Sequence, residues 1–145
     1  MEFLNSLNIG GSALTAQKLR MDIISQNIAN ADTTRTQSGG PYKRKMVVLT
    51  SRDGASFSSL LNKAGNDPKY YGVSVTNIIE DNEGFKPVYN PSHPDADANG
   101  YVMMPNVDTT KEMVDMISAT RSYEASVTAF NAVKLMATKA LDIGK

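Results

Sequence analysis

"NIANADTTRTQSGGPYKRK", residues 27–45, is where this chain changes character. Upstream, Leu7, Leu14, Met21 and Ile28 recur every seven residues, with Ile24 and the small Gly10 beside them. An interval of seven with one strong flanking position is narrower than an ordinary surface-helix stripe, and it predicts a coiled-coil seam. Past Ala29 the apolar period stops and small polar residues take over. Asn27 and Asn30 bracket the predicted helix end, where asparagine tolerates left-handed backbone and can bond the orphan carbonyls of a last turn. Gly39-Gly40-Pro41 then turns the chain outward before a strand-like run from Tyr42 to Leu49. The stretch therefore reads as a helix stop. The Gly10-Gly11 pair weakens the helix by about 1 kcal/mol per glycine relative to alanine, so a break is expected there, with Ser12 as a new N-cap.

The far end of the chain repeats the theme. Met113, Met116, Thr120, Tyr123, Val127, Phe130, Lys134, Ala137 and Leu141 fall on successive a and d positions of a heptad. Thr109 with Glu112 three residues on has the form of a capping box, and Pro105 marks the boundary upstream. A helix from Thr110 to Asp142 would run on the order of 50 Å. Thr120 and Lys134 are polar at seam positions, a pattern that fixes register at some cost in stability. A second stripe, Val114, Ile117, Val133, Met136, Ala140 and Ile143, has no partner within the chain.

Between the helices, residues 32–106 hold all six prolines and most of the glycines. Strands are predicted at Tyr42–Leu49, Val73–Ile79 and Phe85–Tyr89, the last two joined as a hairpin across "EDNEG". "TSRDGASFSSLLNKAGNDP" reads as a mobile linker around a helical turn at Phe57–Leu61. Lys43-Arg44-Lys45 reads as a solvated strand end and Glu80-Asp81 as a solvated loop. The expected fold is mainly α with a small β region: long N- and C-terminal helices pack as a coiled-coil hairpin around an irregular, β-hairpin-containing middle. The predicted division is a helical assembly unit of residues 1–31 and 107–145, with 32–106 as a separate middle region.

Composition excludes several functions. Fifteen basic and fifteen acidic residues in 145 cancel, so there is no electrostatic footprint for nucleic acid. Cysteine is absent, which removes disulfides and thiolate metal sites. No apolar run approaches the roughly 20 residues of a membrane helix, and the N-terminus has neither the positive region nor the apolar core of a cleaved signal. "DADANG", residues 95–100, matches the first half of an EF-hand loop, but position twelve is Asn106 rather than a bidentate carboxylate. His93 is the only histidine, so no histidine metal cluster can form. No nucleophile elbow or P-loop occurs. The expectation is a non-enzymatic chain with no catalytic residues, metal or cofactor, whose helical ends complete their burial in a multimer. A soluble coiled-coil binding protein or secreted effector, engaging a partner helix with its exposed stripe, is the alternative.

"ISQNIANADTT", residues 24–34, resembles the N-terminal signature of the axial rod and hook proteins of the bacterial flagellum, a helix ending in an Asn-Ile-Ala-Asn box followed by threonine. "HPDADANGYVMMPNVDTTKEMVDMISATRSYEAS", residues 93–126, is similar to the proximal rod members of that family, in which a "GYV…PNV" segment leads into a long helix. The resemblance implies a structural subunit of the basal-body rod, needed for motility. It implies passage through the flagellar type III export apparatus without a cleaved signal, to a site outside the cytoplasmic membrane. It implies partners that are copies of the chain and the sibling rod proteins FlgB, FlgF and FlgG, with no nucleic acid and no small-molecule substrate. The residues expected at the assembly interface are Leu7, Leu14, Met21, Ile24, Asn27, Ile28, Asn30, Met113, Met116, Ile117, Tyr123, Val127, Phe130 and Leu141. One departure limits the likeness. "RTQSGG" intervenes before Pro41-Tyr42, so the contacts of this longer loop cannot be carried over from relatives.

Overall fold

In the computed structural model, residues 2–53 and 70–143 are described. Helix α1 spans Glu2–Ala29 and helix α2 spans Thr109–Ile143. Strands β1 (Lys45–Asp53) and β2 (Tyr70–Glu80) form one antiparallel pair, and β3 (Lys86–Tyr89) with β4 (Tyr101–Met104) forms another. The mainly helical architecture with a small β region is as the sequence predicts. The linker and its helical turn at 57–61 lie outside the described residues.

The helices run antiparallel, with Asn27 beside Glu112, Met21 beside Thr120 and Gly10 beside Phe130. Helix α1 does not break at its paired glycines, and Gly10 sits where α2 comes close. A Cβ there would lie 3.3 Å from Phe130 Cδ2, whereas one at Gly11 would meet nothing within 4 Å. Ser12 is accordingly no N-cap; its hydroxyl donates to the Ile9 carbonyl inside the continuous helix.

The inward face of α2 corrects the predicted register. Glu112, Met116, Ala119, Tyr123, Ser126, Phe130, Val133 and Ala137 are buried or half-buried, alternating four and three residues apart. Four of the nine predicted seam residues are shared (116, 123, 130 and 137). The other five, Met113, Thr120, Val127, Lys134 and Leu141, share one position beside the seam, where Thr120 and Val127 are half-buried and Met113, Lys134 and Leu141 exposed. Counting apolar residues favoured Met113 over its neighbour, but the buried neighbour is the charged Glu112. The capping box is absent for the same reason. Asp108 caps the helix, its Oδ1 accepting from the Thr110 and Lys111 amides at 3.0 and 3.3 Å.

Helix α1 also packs against both β1 and β2. Its buried positions, Ala16, Ile23, Ile24 and Asn27, therefore make a wider face than a single seam. The "EDNEG" segment does not close a hairpin. β2 pairs instead with β1, where Met46 stands opposite Ile79 and Val47 opposite Ile78, and Thr50 Oγ1 lies 2.6 Å from Thr76 Oγ1. β3 finds β4, a strand not predicted, through Tyr89 and Tyr101, whose rings meet edge-on at 5.4 Å. Pro87, with no N–H to give, is tolerated because β3 has only one partner strand.

Candidate functional site: the polar junction and the outer helix face

Where α1 ends, α2 begins and β1 departs, a cluster of polar side chains is enclosed. Asn27 is 1% exposed and Glu112 1% exposed, both far below what isolated polar groups tolerate. Every hydrogen-bonding position of the Asn27 carboxamide is occupied. Nδ2 donates to the Lys45 carbonyl at 2.9 Å and to Glu112 Oε2 at 3.0 Å. Oδ1 accepts from the Lys45 amide at 2.9 Å and from the Tyr42 hydroxyl at 3.0 Å. The side chain thus pairs with Lys45 as a neighbouring strand would, satisfying both backbone groups at the first residue of β1. It does not bond the carbonyls of its own helix end. That role belongs to Asn30 alone, whose Nδ2 donates to the Gln26 carbonyl at 2.9 Å, and neither asparagine has positive φ.

The loop that brings the chain back to this point is compact. The Thr36 amide donates to the Gly40 carbonyl and the Tyr42 amide to the Thr33 carbonyl. Gly39 and Gly40 have φ of 79° and 93°, with open space around each, so glycine is required there for backbone conformation. Rather than turning the chain outward, Gly-Gly-Pro returns Tyr42 to Asn27.

Arg44 closes the junction, and it is not a solvated strand end. Its Nε donates to Glu112 Oε1 at 2.7 Å, its Nη1 lies 3.4 Å from Asp81, and its Nη2 lies 3.8 Å from Asp115. Burial alone would lower the guanidinium pKa, but the hydrogen bonds and charges of Glu112 and Asp81 outweigh it and the pKa is raised. Burial raises the Tyr42 phenol above its ordinary value, helped by the negative charges of Glu112 and Glu80. Asn106, also buried, accepts from the Arg44 amide at 2.9 Å and donates to the Glu83 carbonyl at 3.1 Å. Two asparagines, 27 and 106, thereby hold the consecutive residues Lys45 and Arg44.

The expected interface residues divide into two sets. Ile24 and Asn27 are buried within the chain, and Leu7, Leu14, Met21, Ile28, Met116, Tyr123, Val127 and Phe130 are half-buried on the α1 and α2 surfaces, as is Asn30 just past the end of α1. Ile117 stands outward on α2, exposed by 54%, while Met113 and Leu141, exposed by 55% and 73%, hold the position beside the seam that Thr120 and Val127 also occupy. With Val114, Leu135 and Met136, they leave much of the outer face of α2 apolar and uncovered. Tyr42, Arg44, Asn106 and Glu112 were not predicted at a site. Their signals, a basic run, a loop asparagine and a capping glutamate, each had a commoner local explanation.

The remaining polar motifs are structural. Asp97 Oδ1 accepts from the Asn99 and Tyr101 amides, so the EF-hand-like run is a turn whose carboxylate is already engaged. Asp95 accepts from the Thr34 hydroxyl and pairs with Arg35, and His93 Nδ1 accepts from the Asp95 amide. Among the described residues no group of three or more acidic or histidine side chains is placed to hold a metal ion. No helix there is long and apolar enough to cross a membrane.

Residues 7–37 match the family described as flagella basal body rod protein, and residues 98–143 match the family described as flagellar basal body rod FlgEFG protein C-terminal. Similarity to individual proteins extends over the whole chain. The flagellar basal-body rod protein FlgC of Bacillus subtilis is 56% identical over 151 residues, covering all of both chains. The FlgC protein of Escherichia coli O157:H7 is 43% identical over 147 residues, again covering both completely. That of Borreliella burgdorferi is 42% identical over 153 residues, covering 99% of this chain and 98% of its own. A two-helix subunit with a closed polar junction and an uncovered outer face, similar to these proteins from end to end, belongs to the FlgC family of flagellar basal-body rod proteins.

Proposed function

We propose that the chain is a structural, non-catalytic subunit of the proximal rod of the flagellar basal body, and that it transmits torque by rigid packing of its terminal helices. The observation that carries this reading is the outer side of α2, where Val114 and Ile117 are each more than half exposed at the helix start and Leu135 and Met136 near its end, with Met113 and Leu141 exposed beside the seam. Surface area supports it. The chain exposes 10448 Å², whereas a compact 15.7 kDa protein exposes about 7,300 Å². The exposed apolar residues also lie on several elements: Ile78 and Ile79 on β2, Val88 and Tyr89 on β3, and Leu4 on α1. Such a distribution suits several neighbours rather than one closed dimer contact.

On this reading, residues 1–31 and 107–145 act together as the assembly unit and 32–106 form the projecting region. The neighbours are copies of the chain and the sibling rod proteins FlgB, FlgF and FlgG. The chain reaches them through the flagellar export apparatus, without a cleaved signal, and lies outside the cytoplasmic membrane. The test is complementation of a strain lacking this gene. Wild type restores swimming; Ile117→Asp, at an exposed position where the isolated chain still folds, leaves cells non-motile because the charge is trapped in the assembled interface. Full motility with Ile117→Asp, alongside normal abundance of the variant, would overturn the reading.

A further inference from the structure

We propose that the β1–β2 hairpin is a lever coupled to the helix pair through Asn27, so that lifting its far end off α1 loosens the first turn of α2. The hairpin lies along α1 and is held at two widely separated places. At its base, Lys45 gives both backbone groups to the Asn27 carboxamide. At its far end the Val73 amide donates to Ser12 Oγ at 3.1 Å. Gly72 there sits so close that a Cβ would overlap Ser12 Oγ and come 3.3 Å from the Ile9 Cα. Between these points Thr76–Glu80 are exposed, and a two-stranded sheet has little stability of its own. Lifting the far end gives up the Ser12 contact together with part of the packing of β1 and β2 on α1, where Met46–Val48 and Val73–Val75 are half-buried.

The coupling follows from how the Asn27 carboxamide is shared. Nδ2 serves Lys45 and Glu112 together, and Oδ1 serves Lys45 and Tyr42 together. The group cannot follow a moving Lys45 without leaving Glu112. Arg44, the residue before Lys45, bonds the other oxygen of the same glutamate, so hairpin and helix are tied twice. Glu112 in turn precedes Met113 and Val114, where the outer apolar face begins. A neighbour that presses on the hairpin thus changes how firmly that face is presented, and a neighbour on the face changes the hairpin. The lever is a property of the single chain and stands whether or not the rod assignment does.

Hydrogen exchange on the full-length monomer tests it in both directions. Gly72→Ala drives a methyl into Ser12 and strains a backbone at φ of 108°; Ser12→Ala removes the hydroxyl with no wedge. Both should accelerate exchange at the Lys45 amide and over Glu112–Met116 by about fivefold or more, the lower end of ordinary coupling between sites. Reciprocally, Glu112→Gln should accelerate the Val73 amide by a similar factor. Gly84→Ala, in open space, should change neither. Effects that stay at each variant's own end, in Ser12→Ala and Glu112→Gln alike, would overturn the proposal even if Gly72→Ala proves too disruptive to fold.

Discussion

At Asn27, exchanging the carboxamide for a carboxylate replaces one group and reverses one interaction. Asn27→Asp loses both donors and sets a second negative charge against buried Glu112, 3.0 Å from where the amide donated. We expect a loss of about 3 kcal/mol or more of unfolding free energy, measured by urea titration, because a buried charge is left without its partner. Adding Glu112→Gln should recover part of the loss, since glutamine can donate to the new carboxylate; a double variant no more stable than the single one would contradict the geometry. Tyr42 predicts a pH limb. Its folded-state pKa is raised, chiefly by burial, so the neutral phenol is favoured in the fold. That stability is complete below the unfolded value of about 10 and is lost as pH rises through the folded value. Tyr42→Phe should therefore be less stable than wild type at pH 8, with the difference narrowing as pH rises past 10 in paired denaturation curves. A constant difference would show that the phenol does not titrate as argued. At this scale the sequence disclosed Asn27 as special but not why. Its partner Glu112 is 85 residues away, a pairing no local pattern records.

At the scale of elements, both helices were legible from apolar spacing, and their limits differ from expectation by a residue or a few. The register of α2 was less legible, because its inward stripe includes Glu112 and Ser126 while Met113 faces out. Hydrophobic counting finds a stripe only when polarity and burial agree, and here a buried ion pair broke that agreement. Strand pairing failed differently. Proximity in sequence favoured β2 with β3, while cross-strand fit gave β1 with β2 and β3 with β4. The paired glycines of α1 separate propensity from packing. Gly11→Ala should raise stability by about 0.5–1 kcal/mol, since it meets nothing and relieves a helix-interior glycine. Gly10→Leu should instead push α1 off Phe130 and lower the thermal midpoint by several degrees. Equal effects at the two positions in thermal melts followed by circular dichroism would refute the close approach placed at Gly10.

At the scale of the molecule, one end is tightly closed and one face is open. The junction satisfies its buried polar groups, while the outer side of α2 leaves large apolar side chains in water. Single chains rarely keep such a face without a neighbour for it. The sequence anticipated part of the uncovered stripe, since Val114, Ile117 and Met136 are exposed, but Val133, read as a member of it, lies on the inward face. It could not place the junction, which exists only once three elements meet. The most direct measurement uses the absence of native cysteine. Ile117→Cys, introduced into the full chain, gives a single thiol on the outer face, and its maleimide labelling is compared between the free monomer and basal bodies isolated from complemented cells. Labelling should be rapid in the free monomer and strongly blocked in the basal body. Equal labelling in both states would mean that the outer face of α2 is not what the assembly buries.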